Sequence, residues 1–237
     1  MLSSSSALNR VFHCPEESNF YSHCLESLVL NDLEAPSTVV EFGAGDGSPV
    51  IKSLLKTNFE GMIHGFELNK LATKIAQAQI QELDLSDHYQ IHSSCFFNSV
   101  RPAADCLVSN PPYLPASDRQ IYQPLLHGGD DGAQIAKRLL SLGYEKVLLM
   151  VSSYSHPVGL IDFALDRGYK VANFLVSPLT FGYYSSELKV KRAIAALREQ
   201  GRAFHSHNIY LLAGVLFKQQ HHVVDLSQEL IQVMTAL

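Results

Sequence analysis

From residue 37 onward, short apolar runs of strand length alternate with stretches of helical periodicity, and that alternation restricts the chain to few folds. Strands are expected over 37–42, 61–68, 89–94, 105–109, 145–152, 170–177 and 207–217, and helices over 49–56, 70–85, 134–142, 159–166 and 187–200. Leu71, Ile75, Ala78 and Leu83 carry the helical spacing of 70–85. By contrast 145–152 is almost wholly apolar, as suits a strand buried on both faces. Strand alternating with helix means a mostly parallel sheet with helices on both faces. The last two strands are joined by a segment without a clear crossover, so an antiparallel final strand is expected. At 237 residues, 46% of them hydrophobic, the chain holds enough apolar material for one large domain. Residues 1–36 precede the first core strand and are too few for a second domain. One or two helices packed on the sheet are expected there.

Composition narrows the function. Charged residues make up 17% of the chain, ordinary for an enzyme with a large core, and the net charge of −5 disfavours a broad nucleic-acid surface. Cys14, Cys24, Cys95 and Cys106 include no Cys-x-x-Cys pair. His205, His207, His221 and His222 have no carboxylate or cysteine at ligand spacing, so no metal site is expected. No apolar run approaches the ~18 residues that cross a bilayer. With no secretory signal, a cytoplasmic location is the default expectation.

Two loops carry the chemistry. The first strand runs into Glu41-Phe42-Gly43-Ala44-Gly45-Asp46-Gly47, followed by a helix. Glycines there let the backbone turn sharply and approach a ligand, and the helix start favours an anionic group. The third glycine comes one residue too early for the Gly-x-Gly-x-x-Gly of dinucleotide binders. The leading Glu41 suits a ligand with an ammonium group, such as S-adenosylmethionine (SAM). Glu67 stands where a ribose-binding carboxylate is expected at the tip of the second strand.

The second loop is Asn110-Pro111-Pro112-Tyr113, at the end of the strand over 105–109. Two prolines remove two donors and fix φ, and Pro111 pushes Asn110 toward an extended backbone. The Asn carbonyl and the following backbone carbonyl are two acceptors, enough to hold both hydrogens of an –NH2 group. Its lone pair then points at a methyl donor. Tyr113 offers a flat face to a planar substrate.

These residues, with Val108-Ser109 and Leu114-Pro115 flanking the prolines and Gly128-Gly129-Asp130-Asp131-Gly132 downstream, resemble the HemK-type glutamine methyltransferases, which methylate a glutamine amide in peptide-chain release factors. The likeness covers roughly 37–153. It implies a Rossmann-like class I methyltransferase fold, a seven-stranded sheet with an antiparallel last strand. It also implies SAM contacts from Glu41, Phe42, Gly43, Ala44, Gly45, Gly47, Glu67, Leu68, Cys95, Phe96 and Asn110, with Asn110, Pro111, Pro112 and Tyr113 at the acceptor nitrogen. The Asn-Pro-Pro-Tyr motif is shared with adenine-N6 and guanine-N2 methyltransferases of nucleic acids. The Gly-Gly-Asp-Asp-Gly segment leans toward the glutamine enzymes.

Three departures stand out. Only 36 residues precede the first strand, and 10–18 is similar to the short lead of eukaryotic and archaeal relatives rather than to a bacterial helical domain. Cys95 stands where the family has an Asp on the adenine amine, with Phe96 available to pack on the ring. The connection over 178–206 is long. Within 187–202 it carries Lys189, Lys191, Arg192, Arg198 and Arg202 against Glu187 and Glu199. That segment is read either as an amphipathic helix covering a sheet edge or as part of the acceptor site. The reading is a SAM-dependent N-methyltransferase over 37–237, with a protein glutamine amide as favoured acceptor. An exocyclic amine of an RNA or DNA base, a small-molecule amine, and a non-catalytic SAM-binding or partner protein are the alternatives.

Overall fold

The computed structural model of the protein describes residues 11–219 and 223–237. Arg10 and the residues before it, with His221 and His222, lie outside them. The strands are β1 (Ser37–Phe42), β2 (Gly61–Phe66), β3 (Tyr89–His92), β4 (Cys106–Ser109), β5 (Lys146–Ser152), β6 (Lys170–Thr180) and β7 (Ile209–Lys218). They form one seven-stranded sheet in the order β3-β2-β1-β4-β5-β7-β6. β1 pairs in parallel with β2 and β4, β2 pairs in parallel with β3, and β7 runs antiparallel to β6. This is the Rossmann-like arrangement expected, and the chain's last strand, β7, lies between β5 and the edge strand β6.

By its contacts the chain divides into two compact units. The first runs to Asn110 and takes in Lys146–Leu148, and the second holds Pro111–Glu145 and Leu149–Leu237. In the first unit, Val39 and Val40 of β1, Ile63 of β2 and Leu107 of β4 are fully buried. Helix α1 (Pro15–Leu25) supplies the expected lead. Pro15 opens it, and Glu16 and Glu17 sit in its first turn where the helix dipole favours acids. It continues into a π-helical turn, Glu26–Leu30, and together they bury Tyr21, Cys24, Leu25 and Leu28. Helices α2 (Ser48–Leu54) and α3 (Lys70–Glu82) follow β1 and β2. Asn69 caps α3, its Oδ1 accepting from Leu71 N at 3.0 Å and Ala72 N at 3.2 Å.

β5, whose residues Lys146–Leu148 belong to the first unit and the rest to the second, is buried along nearly its whole length, as its apolar run requires. Helices α4 (Gln134–Leu140), α5 (Pro157–Leu165) and α6 (Leu188–Glu199) fall where periodicity places them. Most elements shift by a residue or more at their ends, and two differences have a physical reason to report. β6 continues through Pro178 to Thr180, because an edge strand has no outer ladder bond for the proline to lose. A final helix, α7 (Ser227–Met234), was not anticipated. It is short, and its start is set by Asp225, whose Oδ1 accepts from the Ser227 backbone N–H at 3.1 Å and from its hydroxyl. Burial of Leu230 and Met234 holds it.

One close contact gives a test of the β1–β2 pairing. A Cβ on Gly61 would lie 2.1 Å from the Ser37 carbonyl oxygen and 2.6 Å from Phe59 Cζ. Gly61→Ala is expected to destabilise the fold by about 1–3 kcal/mol, the usual range for overpacking. An unchanged urea midpoint would show that the start of β2 shifts freely.

Candidate functional site

The glycine loop is held by β2. The N–H groups of Gly43 and Ala44 both donate to the Phe66 carbonyl, at 3.0 and 3.2 Å. Gly43, Gly45 and Gly47 have φ of 72°, 59° and 76°, the left-handed region that only glycine enters freely. A Cβ on Gly43 or Gly45 would meet nothing within 4 Å, so the turn faces open space. Gly47 instead packs closely, 3.1 Å from Ala76 and 3.3 Å from Tyr89 on the same measure. Ala44 is buried and Phe42 half-buried.

Glu67 meets this loop directly. Its Oε2 accepts from Gly45 N at 2.8 Å, and its Oε1 from Asn69 N at 2.6 Å. Each carboxylate oxygen has a second lone pair, so acceptor capacity remains on both. Leu68 beside it is 55% exposed.

Glu41 sits differently. It is 1% exposed, and both its oxygens are engaged: Oε1 accepts from the Tyr21 hydroxyl at 3.2 Å and Oε2 from the Tyr89 hydroxyl at 2.6 Å. Burial pushes its pKa up to about 7, against the lowering effect of the two hydroxyls, with the Glu67 and Asp46 charges adding to the rise. Burial also lifts both tyrosines well above their ordinary value, and the Glu41 charge adds to that. Sequence reasoning missed Tyr21 and Tyr89, since neither lies near Glu41 in the chain.

Past β3, Cys95 is half-buried and Phe96 is 2% exposed. Phe96 packs edge-on against Phe42, Phe66 and Phe97, with centroids 5.5, 5.2 and 5.7 Å apart. The rings left half-exposed in this cluster are Phe42 and Phe97, not Phe96. Arg101, also missed, stacks its guanidinium 4.7 Å from the Phe96 centroid and donates to the Phe96 and Ser99 carbonyls.

Asn110 follows β4 directly. Ser109 ahead of it donates from Oγ to the Phe42 carbonyl at 2.9 Å, tying the end of β4 to the end of β1. Asn110 Oδ1 is buried and has no hydrogen-bond partner among the described residues. A buried acceptor left empty costs about 1–3 kcal/mol, so it marks a place where a donor is wanted.

In the second unit, Pro111 and Tyr113 are buried and Pro112 half-buried. The Gly-Gly-Asp-Asp-Gly segment lies against them. Gly128 approaches so closely that a Cβ would fall 2.7 Å from Tyr113 Cα and 2.8 Å from the Pro112 carbonyl oxygen. A Cβ on Gly132 would fall 2.5 Å from the Tyr113 carbonyl oxygen, which accepts from Ser155 Oγ at 2.7 Å. Gly128 N donates to Leu114 O, and Ala116 N to Gly129 O. Asp130 is exposed. Asp131 braces the segment: its Oδ2 pairs with Arg202 at 3.1 Å and Lys137 at 3.4 Å, and its Oδ1 accepts from Ala133 N. Among the described residues no three His, Cys, Asp or Glu side chains form a metal cluster, and the ring of His205 packs on Phe181.

No family model matches the chain. It is 30% identical over 147 residues to a release factor glutamine methyltransferase of Thermosynechococcus vestitus, a match covering 56% of this chain and 47% of that protein. The chain spans about half or less of the length of the curated relatives it matches. Among solved structures it superposes on a candidate RNA methyltransferase from Pyrococcus horikoshii with a TM-score of 0.58 at 14% identity, covering 92% of this chain and 88% of that one. It also superposes on M. jannaschii TYW2 in complex with AdoMet, with a TM-score of 0.51 at 12% identity over 86% and 75% of the two chains. The fold is therefore that of the class I SAM-dependent methyltransferases. Within that class, the sequence is similar to release factor glutamine methyltransferases of the HemK type.

Two predictions follow from the first unit. Glu67→Ala is expected to weaken SAM binding by about 1.5–3 kcal/mol, the range for hydrogen bonds to a charged group. Titration calorimetry on the folded variant reads this directly, and unchanged affinity would remove Glu67 from the cofactor site. The second concerns pH. Glu41 ordinarily titrates at 4.5 and is raised to about 7 by folding, so between those values the native state holds a proton that the unfolded chain has released. Its contribution to stability is fully present below the lower value and is lost as pH rises through the upper one. Glu41→Gln should flatten that fall in Tm, and a variant profile parallel to wild type would contradict the assignment.

Proposed function

We propose that the protein is a SAM-dependent N-methyltransferase acting on the side-chain amide of a protein glutamine. The observation that carries this reading is the buried Oδ1 of Asn110, without a partner among the described residues and next to two prolines whose φ is fixed. An acceptor held in that way, without a competing donor among those residues, suits one N–H of an –NH2 group. The Pro111 carbonyl is the second acceptor for the other N–H.

The first unit fits SAM. The open turn at Gly43 and Gly45 leaves room for the aminoacyl end, and Glu67 keeps lone pairs for ribose hydroxyls. Leu68, Phe42 and Phe97 supply apolar surface for the adenine, and Cys95 stands beside them as a weak polar partner. Glu41, closed off by two tyrosines, acts through the loop it supports and through its charge. When bound, SAM supplies an electrophilic methyl group. Asn110 and Pro111 orient the amide so that its lone pair, otherwise delocalised, points along the transfer axis. The nitrogen forms its new bond to the methyl carbon as the sulfonium bond breaks, and the proton leaves the nitrogen afterwards. No strong base is needed, and positioning is worth up to ~7–11 kcal/mol in ideal cases.

A protein acceptor is supported by the similarity to release factor glutamine methyltransferases and by the net charge of −5. The reading with a base amine as acceptor draws on one observation: Lys191, Arg192 and Arg198 have no carboxylate within ion-pair distance among the described residues. No helix among those residues is long and apolar enough to cross a membrane.

Labelled SAM, a cell extract and the protein decide the acceptor. Protease is expected to release the label and nuclease to leave it, with mass spectrometry placing one added methyl group on a glutamine. Asn110→Ala should abolish this transfer and keep most SAM affinity, while Asn110→Asp should keep some activity because one acceptor oxygen survives. Near wild-type turnover by Asn110→Ala would remove Asn110 from the mechanism.

A further inference from the structure

The segment between β6 and β7 folds back onto the loop that follows the proline pair, and every contact lies within the second unit. Phe181 packs on Tyr154 with centroids 5.4 Å apart, and Tyr154 packs on Tyr113 at 5.8 Å. Tyr183 lies over Tyr122 at 5.2 Å with their planes 31° apart. Glu187 Oε2 accepts from the Tyr122 backbone N–H at 2.6 Å. Lys189 pairs with Asp118 and reaches the Gln120 carbonyl at 3.4 Å. Rings, one backbone bond and an ion pair thus fix residues 181–189 against 113–122.

The outer side of this junction is apolar and positive. Tyr122 is 51% exposed, and Tyr183 and Leu188 are each 62% exposed, although helix α6 buries Val190, Ile194 and Leu197 on its other side. Lys191 and Arg192 share the exposed side of α6 with Leu188, and Arg119 is exposed on the loop. Of the acids on the loop and on α6, only Glu199, at the far end of the helix, is exposed without an ion-pair partner among the described residues. Asp118 is neutralised by Lys189, Glu187 is buried against Tyr122, and Asp131 is taken by Arg202 and Lys137. On a chain of net charge −5, this leaves a local cationic rim around exposed tyrosines.

We infer that the Tyr122–Tyr183 face is the docking surface for the acceptor protein, and that it takes a segment carrying apolar and acidic residues beside the methylated glutamine. The inference rests on the glutamine reading above. Tyrosine gives a large amphipathic contact at low entropic cost, which is why it is enriched at protein interfaces. Unpaired lysine and arginine at the rim complement an acidic partner and fix its register. The net charge of −5 favours a protein over single-stranded RNA, whose backbone the chain as a whole would repel.

The test uses the full chain and fluorescein-labelled peptides with a central glutamine. One peptide carries flanking Leu, Phe and Glu, a second has Lys in place of each Glu, and a single-stranded oligouridine is the third probe. The acidic peptide is expected to bind about tenfold tighter than the basic one in anisotropy titrations, a preference that shrinks with added salt. The double variant Tyr122→Ala/Tyr183→Ala should weaken it by about tenfold, and Lys191→Glu/Arg192→Glu should erase the preference, with SAM affinity unchanged in both. Equal binding of the two peptides, no binding, affinities unaltered by both variants, or displacement of the acidic peptide by oligouridine would each overturn the inference. If the acidic peptide binds as described but gains no methyl group, the glutamine reading fails and the docking surface stands. If glutamine peptides are methylated with a KM that neither variant changes, the docking surface fails and the glutamine reading stands.

Discussion

One carboxyl group with almost no access to water organises the first unit. Glu41 is the penultimate residue of strand β1, and its two oxygens are held by Tyr21 of helix α1 and Tyr89 of β3. Removing a carboxylate from water is costly unless its lone pairs are satisfied, so the two hydroxyls make this position tolerable. The same bonds tie the N-terminal lead and the third strand to the strand end from which the glycine loop departs. The lead is thereby part of the loop's support. The glycines then turn over a fixed base, and Glu67 closes the turn from β2 through the Gly45 N–H.

The proline loop is supported in another way. Pro111 and Pro112 cannot donate hydrogen bonds, so the chain around them is held by close backbone packing and by bonds to its carbonyls. Gly128 and Gly132 stand where any side chain would strike Pro112 or Tyr113, and Ser155 fastens the Tyr113 carbonyl. The Gly-Gly-Asp-Asp-Gly segment thus acts as backing for the loop, and Asp131 secures that backing through Arg202 and Lys137. Asn110 is left with a stiff neighbour on one side, a core strand on the other and an acceptor that no described residue uses. A rigid acceptor of that kind suits a reaction in which orientation supplies most of the rate.

Much of this was legible in the chain. The alternation of strand and helix predicted the sheet, because a buried parallel strand and an amphipathic helix differ in apolar period. β1 falls on 37–42 as read, and the other strands differ from expectation by a few residues at their ends. The glycine and proline loops were legible because backbone geometry singles out those residue types. Helix α7 was not, since eight residues give too little periodicity and its start depends on an Asx contact. The end of β6 was misplaced because Pro178 reads as a strand breaker until the strand is known to lie at an edge.

By itself the sequence determined the fold class, the two loops and the chemical type of Asn110, because local backbone rules and apolar spacing act over a few residues. Only the tertiary structure decided what those groups touch. Tyr21 and Tyr89 reach Glu41 from 20 and 48 residues away in the chain. Phe96 lies buried while Phe42 and Phe97 stay half-exposed, and Arg101 stacks on it. Tyr183 finds Tyr122 across two α-helices and two strands of intervening chain. Burial, hydrogen-bond satisfaction and pKa are properties of packed neighbours, and packing brings together residues whose separation along the chain carries no local signal.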